Sequence, residues 1–289
     1  MLEKFKTYRS AILPVLLGVI LAGLLLFFYV LPDGKLHVFI FDVGQGDGMM
    51  VITPHGKIVV IDGGPDSTIL SKIGRVKPFL KTVDYVILTH PHADHEVGLI
   101  DVFKKYRVLN IITSGADVDT PEHQAFLQAV SNERADTRFF TKGETINLDS
   151  VKLITFYPKD SFFGKIIENP NDASLVLKMF YGTFSVLFSG DIEEMARLKL
   201  LDGNFDLRSD LLKVSHHGSK TGLSKKLLEK IQADWAVISV GVKNLYGHPA
   251  AKTLELLANF SIPVLRTDNN GDVEFIVDND GSYKIRTQK

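Results

Sequence analysis

The sequence predicts an α/β fold in four αββα layers, with two β-sheets packed face to face and helices on both outer sides, preceded by one N-terminal transmembrane helix. Strand-like and helical patterns alternate in two β-rich halves, and a long uncharged run lies near the N-terminus. The chain has 289 residues, 45% of them hydrophobic, which is enough for a large core. A net charge of −1 gives no global basic field for nucleic acid, and the absence of cysteine excludes disulfides and thiolate zinc sites.

Residues 1–34 are predicted to be a cytoplasmic tip and a membrane anchor. Ala11–Leu31 contains 21 residues without a charge, and at about 1.5 Å per residue such a helix crosses a bilayer core of about 30 Å. Lys4, Lys6 and Arg9 precede it, so the positive-inside rule predicts a single pass with the N-terminus in the cytoplasm and the rest of the chain outside it. The length of the run and the absence of a small-x-small cleavage site favour an uncleaved anchor over a signal peptide.

Residues 35–289 form the second predicted domain, which opens as a β-meander. Glycine-rich turns separate its strand-like runs at Leu36–Val43, Met49–Thr53 and Lys57–Ile61. Helical and strand-like runs then alternate, as expected where helices connect neighbouring strands outside a sheet. In chain order they are a helix at Ser67–Lys77, a strand from Tyr85 that ends at Thr89, a helix at His95–Lys105, a strand at Val108–Ile112 and a helix beginning near Pro121.

The second β-rich half begins with three further strand-like runs and then alternates in the same way. Each half can therefore supply one sheet and its own outer helices, which predicts two sheets packed against each other. The runs are strands at Val151–Phe156, Ser174–Phe180 and Phe184–Phe188, a helix at Ile192–Leu201, a strand at Asp210–Val214, a helix at Ser224–Gln232, a strand at Trp235–Val240, a helix at Ala250–Asn259, a strand at Pro263–Arg266 and two short terminal strands.

Candidate metal ligands crowd into the segment from His90 to His95, directly after the apolar run Tyr85–Leu88. Three of the nine histidines of the chain and one aspartate fall there. A polar loop formed by chance is the alternative, but imidazole and carboxylate together suit zinc and, with more oxygen ligands, manganese. Other polar segments also follow strand-like runs, so one site at the edge of a sheet is predicted. They are Asp62-Gly63-Gly64, Gly190-Asp191, Ser215-His216-His217-Gly218-Ser219 and Tyr246-Gly247-His248-Pro249.

These motifs resemble the metallo-β-lactamase-fold hydrolases and, within them, the hydrolase domain of the ComEC competence proteins. The resemblance runs from about Leu36 to Ile285. ComEC proteins carry this domain together with a multi-span channel, whereas one apolar span precedes it here, so a membrane-tethered hydrolase with a separate channel protein as partner is expected. The motifs are Val43-Gly44-Gln45-Gly46-Asp47, Ile61-Asp62-Gly63-Gly64, His90-Pro91-His92-Ala93-Asp94-His95, Ala173-Ser174-Leu175-Val176-Leu177, Ser189-Gly190-Asp191, Leu212-Lys213-Val214-Ser215-His216-His217-Gly218-Ser219 and Tyr246-Gly247-His248-Pro249.

The resemblance implies a site for two divalent ions, Zn²⁺ or Mn²⁺, that hydrolyses its substrate. His90 and His92 would hold one metal, Asp94 and His95 the other, and Asp191 would bridge them. Two adjacent ions can activate water and neutralise the charge that develops on oxygen during hydrolysis.

Further residues are assigned around this centre. The resemblance implies that His216 completes the shell of the second metal, with His217 as the alternative, and that Asp62 orients a ligand imidazole through its other ring nitrogen. For Asp62 a turn before two glycines is the alternative. Besides Asp94, the catalytic candidates are His217 and His248, which could donate a hydrogen bond to phosphate or protonate the leaving oxygen. His248 could equally belong to a loop before the helix at Ala250.

The family's usual third histidine for the first metal has no counterpart. His123 is the only histidine between His95 and Asp191, and it is predicted to lie at an exposed helix start. Asn169-Pro170-Asn171-Asp172-Ala173-Ser174 stands at the expected place, which predicts an oxygen-richer first site and favours manganese. Asp172 is expected to support the metal or substrate, with a strand-start turn as its alternative. Asn171, Ser219 and Lys220 are the predicted substrate contacts.

DNA, most simply single-stranded, is the predicted substrate. A basic surface with an interleaved aromatic should then border the site, although surface lysines are ordinarily solvated. The alternatives are another cell-envelope phosphoester, a lactam, which the missing histidine disfavours, and a non-catalytic DNA-binding or scaffold subunit, which retention of the ligands disfavours. The candidate residues for the basic surface are Lys213, Lys220, Lys225, Lys226 and Lys243, with Tyr246.

Overall fold

The computed structural model describes residues 12, 14–21, 23 and 31–289. Among them, no helix is both long enough and apolar enough to span a bilayer. The predicted anchor at Ala11–Leu31 falls partly outside the described residues, so it stays a prediction, as do the boundary after residue 34 and the membrane orientation. Gly34–Lys289 forms a single compact unit.

Eight strands form the first sheet, which is antiparallel at one end and parallel at the other. The opening meander of β1, β2 and β3 is confirmed, and β3, β4, β5 and β7 then run parallel. In spatial order the strands are β17 (Tyr283–Thr287), β16 (Val273–Val277), β1 (Leu36–Ile40), β2 (Gly48–Ile52), β3 (Ile58–Gly63), β4 (Thr82–Ile87), β5 (Arg107–Thr113) and β7 (Asp136–Phe139).

Seven strands form the second sheet, which has the same division into an antiparallel and a parallel part. Its parallel strands are β12 to β15. A separate parallel pair joins β6 (Ala116–Asp117) and β10 (Lys165–Ile166). In spatial order the second sheet contains β15 (Val264–Arg266), β14 (Trp235–Ile238), β13 (Leu211–Lys213), β12 (Phe184–Phe188), β11 (Val176–Tyr181), β9 (Val151–Tyr157) and β8 (Thr145–Leu148).

Helices follow the strands in the predicted order. The start of α3 is capped by Thr120, whose hydroxyl accepts from the His123 amide, and Pro121 occupies the first turn. Short 3₁₀ helices occur at Pro170–Ala173 and Ser215–Gly218. The α-helices are α1 (Thr68–Val76), α2 (Ala93–Lys105), α3 (Pro121–Asn132), α4 (Glu194–Asp202), α5 (Lys225–Ile231), α6 (Ala251–Asn259) and α7 (Thr267–Asn270).

Three hydrophobic cores confirm the four-layer arrangement. Alternation along β1 sends Leu36, Val38 and Ile40 into the core between the two sheets, and Phe39 to the opposite face. A second core packs α1, α2 and α3 on the first sheet. A third packs α4, α5 and α6 on the second sheet. The parallel strands of both sheets are therefore covered on both faces, and their carboxyl ends are left as the open edge for polar side chains.

Candidate metal centre

The segment after β4 turns directly into α2 and presents its histidines at the sheet edge. His90 Nε2 lies 2.9 Å from His92 Nδ1, and the rings of His90 and His95 are 4.1 Å apart. Asp94 and His95 lie in the first turn of α2. The loop that contains Gly46 packs against this turn so closely that a Cβ at Gly46 would lie 2.3 Å from the Asp94 carbonyl oxygen. Glycine is required there because its φ of 142° and this contact leave no room for a side chain.

Asp62 supports this segment from the end of β3. Its carboxylate accepts hydrogen bonds from the Thr89 amide and hydroxyl, each at 2.8 Å, and lies 2.9 Å from His95 Nδ1. All three groups are fully buried. The opposite ring nitrogen, His95 Nε2, has no hydrogen-bond partner and lies 3.3 Å from Asp191. A carboxylate on one nitrogen and a free second nitrogen are the usual arrangement of a metal-binding histidine.

The second sheet contributes Asp191, which follows β12. Its amide donates to the Ser174 hydroxyl at 3.1 Å. Its Oδ2 lies 3.3 Å from His95 Nε2 and 3.2 Å from His217 Nε2, so this buried carboxylate stands between imidazoles from the two sheets. That placement suits a bridging ligand.

The structure places His217, rather than His216, in the cluster. His217 is buried, its Nδ1 lies 3.0 Å from the Ser239 carbonyl, and its Nε2 faces Asp94 at 3.1 Å. His216 is partly exposed and its Nδ1 lies 3.2 Å from Glu193. Both histidines have left-handed backbone angles, with φ of 50° and 51°, which turn the second side chain inward. We therefore correct the expected assignment: His217 lies among the candidate ligand atoms and His216 lies beside it.

Sequence reasoning missed a buried ion pair behind the centre. Lys213 is 1% exposed and binds Asp47 of the glycine-rich loop, and its Nζ lies 3.9 Å from Asp191 Oδ1. Lys213 is therefore not part of a phosphate-binding surface, contrary to expectation. The position of Lys213 at the end of β13, an otherwise apolar three-residue strand, was the available signal.

The electrostatics of the cluster depend on the balance of carboxylates and imidazoles. Burial alone would raise the pKa of Asp191, but His217 and His95 outweigh it and hold that pKa well below its usual range. Burial would lower the pKa of His95, but Asp191, Asp62 and Asp94 raise it well above normal. For Asp94, burial is outweighed by His95 and His217, which lower its pKa to about 2. The carboxylates are thus held ionised, as metal ligands must be.

The donor atoms fit two adjacent cations. Four groups of three residues each have their ligand atoms within 4.8 Å of one another among the described residues. The groups overlap, because His95, Asp191 and His217 each occur in more than one of them. The buried His95 Nε2, which has no hydrogen-bond partner, is best explained by a cation that it would bind. The groups are His90, His95 and Asp191; Asp94, His95 and His217; Asp47, Asp62 and His95; and Asp47, Asp191 and His217.

A cleft of about 270 Å³ opens over the cluster. His248 lines it from a loop that Asn244 holds by hydrogen bonds to the His248 amide and carbonyl at 2.9 and 2.8 Å. Burial and the neighbouring His216 and His217 lower the pKa of His248. The lining residues are Gln45, His92, Ala93, Asp94, Asp191, His216, His217, Tyr246 and His248.

The remaining predicted site residues are not brought into the cleft. Asn171 and Asp172 lie in the 3₁₀ helix beside α4, where burial and Glu193 raise the pKa of Asp172. Ser219 is buried, and its hydroxyl lies 2.8 Å from the Thr221 hydroxyl within a turn. Lys220 is exposed next to it. His123, expected at an exposed helix start, begins α3 but is buried, because its Nδ1 lies 2.8 Å from the buried carboxylate of Glu96.

Comparison with known proteins identifies the family. Residues 42–242, more than half of the chain, match the sequence model of the metallo-beta-lactamase superfamily. The chain belongs to this superfamily. The metallo-β-lactamase fold of Gly34–Lys289 agrees with that of YhfI from Bacillus subtilis, at a TM-score of 0.53 and 14% identity over 83% of this chain and 99% of the other. Membership of the superfamily implies a metal-dependent hydrolase.

Two curated relatives match most of this chain. ComE operon protein 3 of Bacillus subtilis is 32% identical over 87% of this chain and 34% of its own length. Competence protein ComA of Neisseria gonorrhoeae is 25% identical over 84% of this chain and 33% of its own length. The chain thus spans about a third of the length of these two relatives. The expected resemblance to the hydrolase domain of competence proteins is confirmed.

Proposed function

We propose that this protein is a membrane-anchored, two-metal phosphodiesterase that cleaves DNA on the outer side of the cytoplasmic membrane. The observation that carries the proposal is the buried cluster of His90, His95, Asp191 and His217, of which Asp191 and His217 line an open cleft. The printed names of the two competence relatives support DNA as the substrate class.

The two cation positions differ in their ligands. His90 and His92, together with Asp191, would hold the first ion, and Asp94, His95 and His217 would hold the second. Divalent ions bound there would supply Lewis acidity and lower the pKa of water for hydrolysis. The first position lacks the third histidine of the usual family pattern, so its set of two imidazoles and one carboxylate is poorer in nitrogen than that pattern, which favours Mn²⁺ over tightly held Zn²⁺.

The protein residues around the ions position the phosphodiester. Asp62 and the Ser239 carbonyl fix the ring orientation of His95 and His217. His248, whose lowered pKa favours a neutral ring, lines the cleft and offers an N–H to a nonbridging phosphate oxygen. Asn244 keeps the loop of His248 in place.

The test uses the purified full-length chain with its bound metal quantified. Single-stranded DNA, bis(p-nitrophenyl) phosphate and a lactam are assayed side by side with Mn²⁺ and with Zn²⁺. We expect DNA cleavage that requires metal, is strongest with Mn²⁺ and weakens as salt rises, because phosphate contacts release counterions. Turnover of bis(p-nitrophenyl) phosphate without DNA cleavage would contradict DNA as the substrate, and inertness on both phosphodiesters with either metal would contradict a phosphodiesterase.

The location has its own test. In spheroplasts, external protease should digest the hydrolase domain, because the basic residues before the apolar run predict a cytoplasmic N-terminus and a domain outside the membrane. Protection of the domain, with digestion only after detergent lysis, would contradict the proposed orientation. A separate channel protein as partner is part of the proposal, and it is tested by cross-linking in cells followed by identification of multi-span proteins.

A further inference from the structure

A second cavity of about 210 Å³ adjoins the candidate metal centre, since His90 is among its lining residues. Consecutive residues of one loop line the two cavities: His90 and Pro91 line the second, and His92, Ala93 and Asp94 line the cleft. A group bound in the second cavity therefore lies directly beside a molecule held at the metals. None of the roles assigned above uses this cavity.

The walls of the cavity are mainly apolar and aromatic. Phe139 and Phe163 are stacked with ring centroids 4.4 Å apart and 24° between their planes, and both line the cavity together with Phe126. Phe163 is 65% exposed and Phe139 is 37% exposed. Aromatic rings that remain open to solvent beside a hydrolytic site are suited to stack on a flat ring of the substrate.

One side of the cavity is polar. His123 lines it and has a buried Nε2 without a hydrogen-bond partner, 3.5 Å from the carboxylate of Asp117, which also lines it. The ring of His123 is fixed from behind by Glu96 at 2.8 Å. A buried polar atom without a partner is rare and calls for a ligand or water. The cavity thus offers apolar faces and a polar edge together, which are the two requirements of a nucleobase.

We propose that this cavity binds one nucleobase of the substrate, adjacent to the phosphodiester that is cleaved. This proposal rests on the proposed function, because it assigns a subsite to the same DNA substrate. The base would stack on Phe163 and Phe139 and place its polar edge against His123 and Asp117. Apolar patches of this kind also serve protein contacts, and a second copy of this chain is the alternative occupant that the test must separate.

The test compares Phe163→Ala with Phe79→Ala in the full-length, metal-loaded protein. Phe79 is 54% exposed and lies between α1 and β4, so it is a matched surface control. The substrates are a short single-stranded oligonucleotide of known cleavage position and the same oligonucleotide with abasic sites flanking that position. We expect Phe163→Ala to raise KM for the intact oligonucleotide about 5- to 150-fold and to leave cleavage of the abasic one unchanged, and Phe79→Ala to change neither.

A spectroscopic readout keeps the test independent of turnover. An oligonucleotide that carries 2-aminopurine next to the scissile position should lose fluorescence when it binds the metal-stripped wild-type protein. With metal-stripped Phe163→Ala, the fluorescence should remain. If the wild-type protein cleaves the oligonucleotide but Phe163→Ala matches wild type in both readouts, the base subsite is wrong. If Phe163→Ala instead changes only the oligomeric state measured by size-exclusion chromatography, the surface binds a second copy of the chain and the proposal is overturned. Absence of oligonucleotide cleavage by the wild-type protein would instead contradict the proposed DNA substrate itself, and the base subsite with it.

Discussion

The two sheets hold their metal ligands in different ways. On the first sheet, the Asp62 carboxylate accepts hydrogen bonds that fix Thr89 and His95, and the neighbouring candidate ligands follow along one loop and one helical turn. On the second sheet, Asp191 and His217 come from the ends of two separate strands, with the cation of Lys213 behind Asp191. Hydrogen bonds orient both sides, as the Ser239 carbonyl does for His217, but only the second side also has a buried lysine beside its carboxylate. The comparison predicts that the two sides respond differently to substitution.

The largest effect is expected for Asp191→Ala, because this carboxylate lies between His95 and His217 and so joins the two sides. Loss of supporting residues typically costs about 10- to 100-fold in metal affinity or activity, and loss of a shared ligand should exceed that range. The measurements are metal content and phosphodiester turnover. Asp136→Ala, which removes an exposed carboxylate from β7, should change neither. Retained turnover in Asp191→Ala would mean that this carboxylate is not needed for catalysis.

The pair His217→Ala and His216→Ala tests the ligand choice on the second sheet. His217→Ala should lose one bound metal and more than about 100-fold in turnover, beyond the cost of a supporting residue. His216→Ala should keep both metals, because its ring faces Glu193 and lies outside the cluster. Metal quantification on both purified variants decides between them. The reverse pattern would return the ligand role to His216.

Lys213→Met tests the charge balance of the second sheet. Removing one partner of a buried ion pair costs about 3–5 kcal/mol, because Asp47 would be left buried without its cation. We expect the free energy of unfolding of the metal-free protein, measured in urea, to fall by this amount. The double variant with Asp47→Asn should recover most of it, since no unpaired charge then remains. Equal stability of the single variant and wild type would mean that the pair is not needed for folding.

Asp62→Asn tests the hydrogen bonds of the first sheet. An amide keeps the size of the carboxylate but binds the His95 ring less strongly, so metal affinity should fall by about 10- to 100-fold. Asp84→Asn is the matched control, because Asp84 also accepts a backbone hydrogen bond, from Ile58 at 2.8 Å, but lies away from the cluster. Titration with Mn²⁺ measures the difference. Equal affinity in both variants would mean that Asp62 serves only as a turn residue.

The two sheets also differ in how well their candidate site residues could be predicted from the sequence. His90, His92, Asp94 and His95 stand within six residues after an apolar run, so strand and helix periodicity already places them together. Asp62 was predicted because it also follows a strand. Lys213, by contrast, was assigned to a basic surface, because a sequence does not show that a charged side chain in a strand faces a buried partner.

The sequence by itself determined the α/β layers, the family and the local ligand cluster, since these follow from periodicity and from motifs of a few consecutive residues. The tertiary structure decided between His216 and His217, because two left-handed residues set which ring turns inward. It also decided that Lys213 pairs with Asp47, because their contact crosses from one sheet to a loop of the other. Side-chain direction at a strand end and contacts between distant segments depend on packing, which short sequence patterns do not encode.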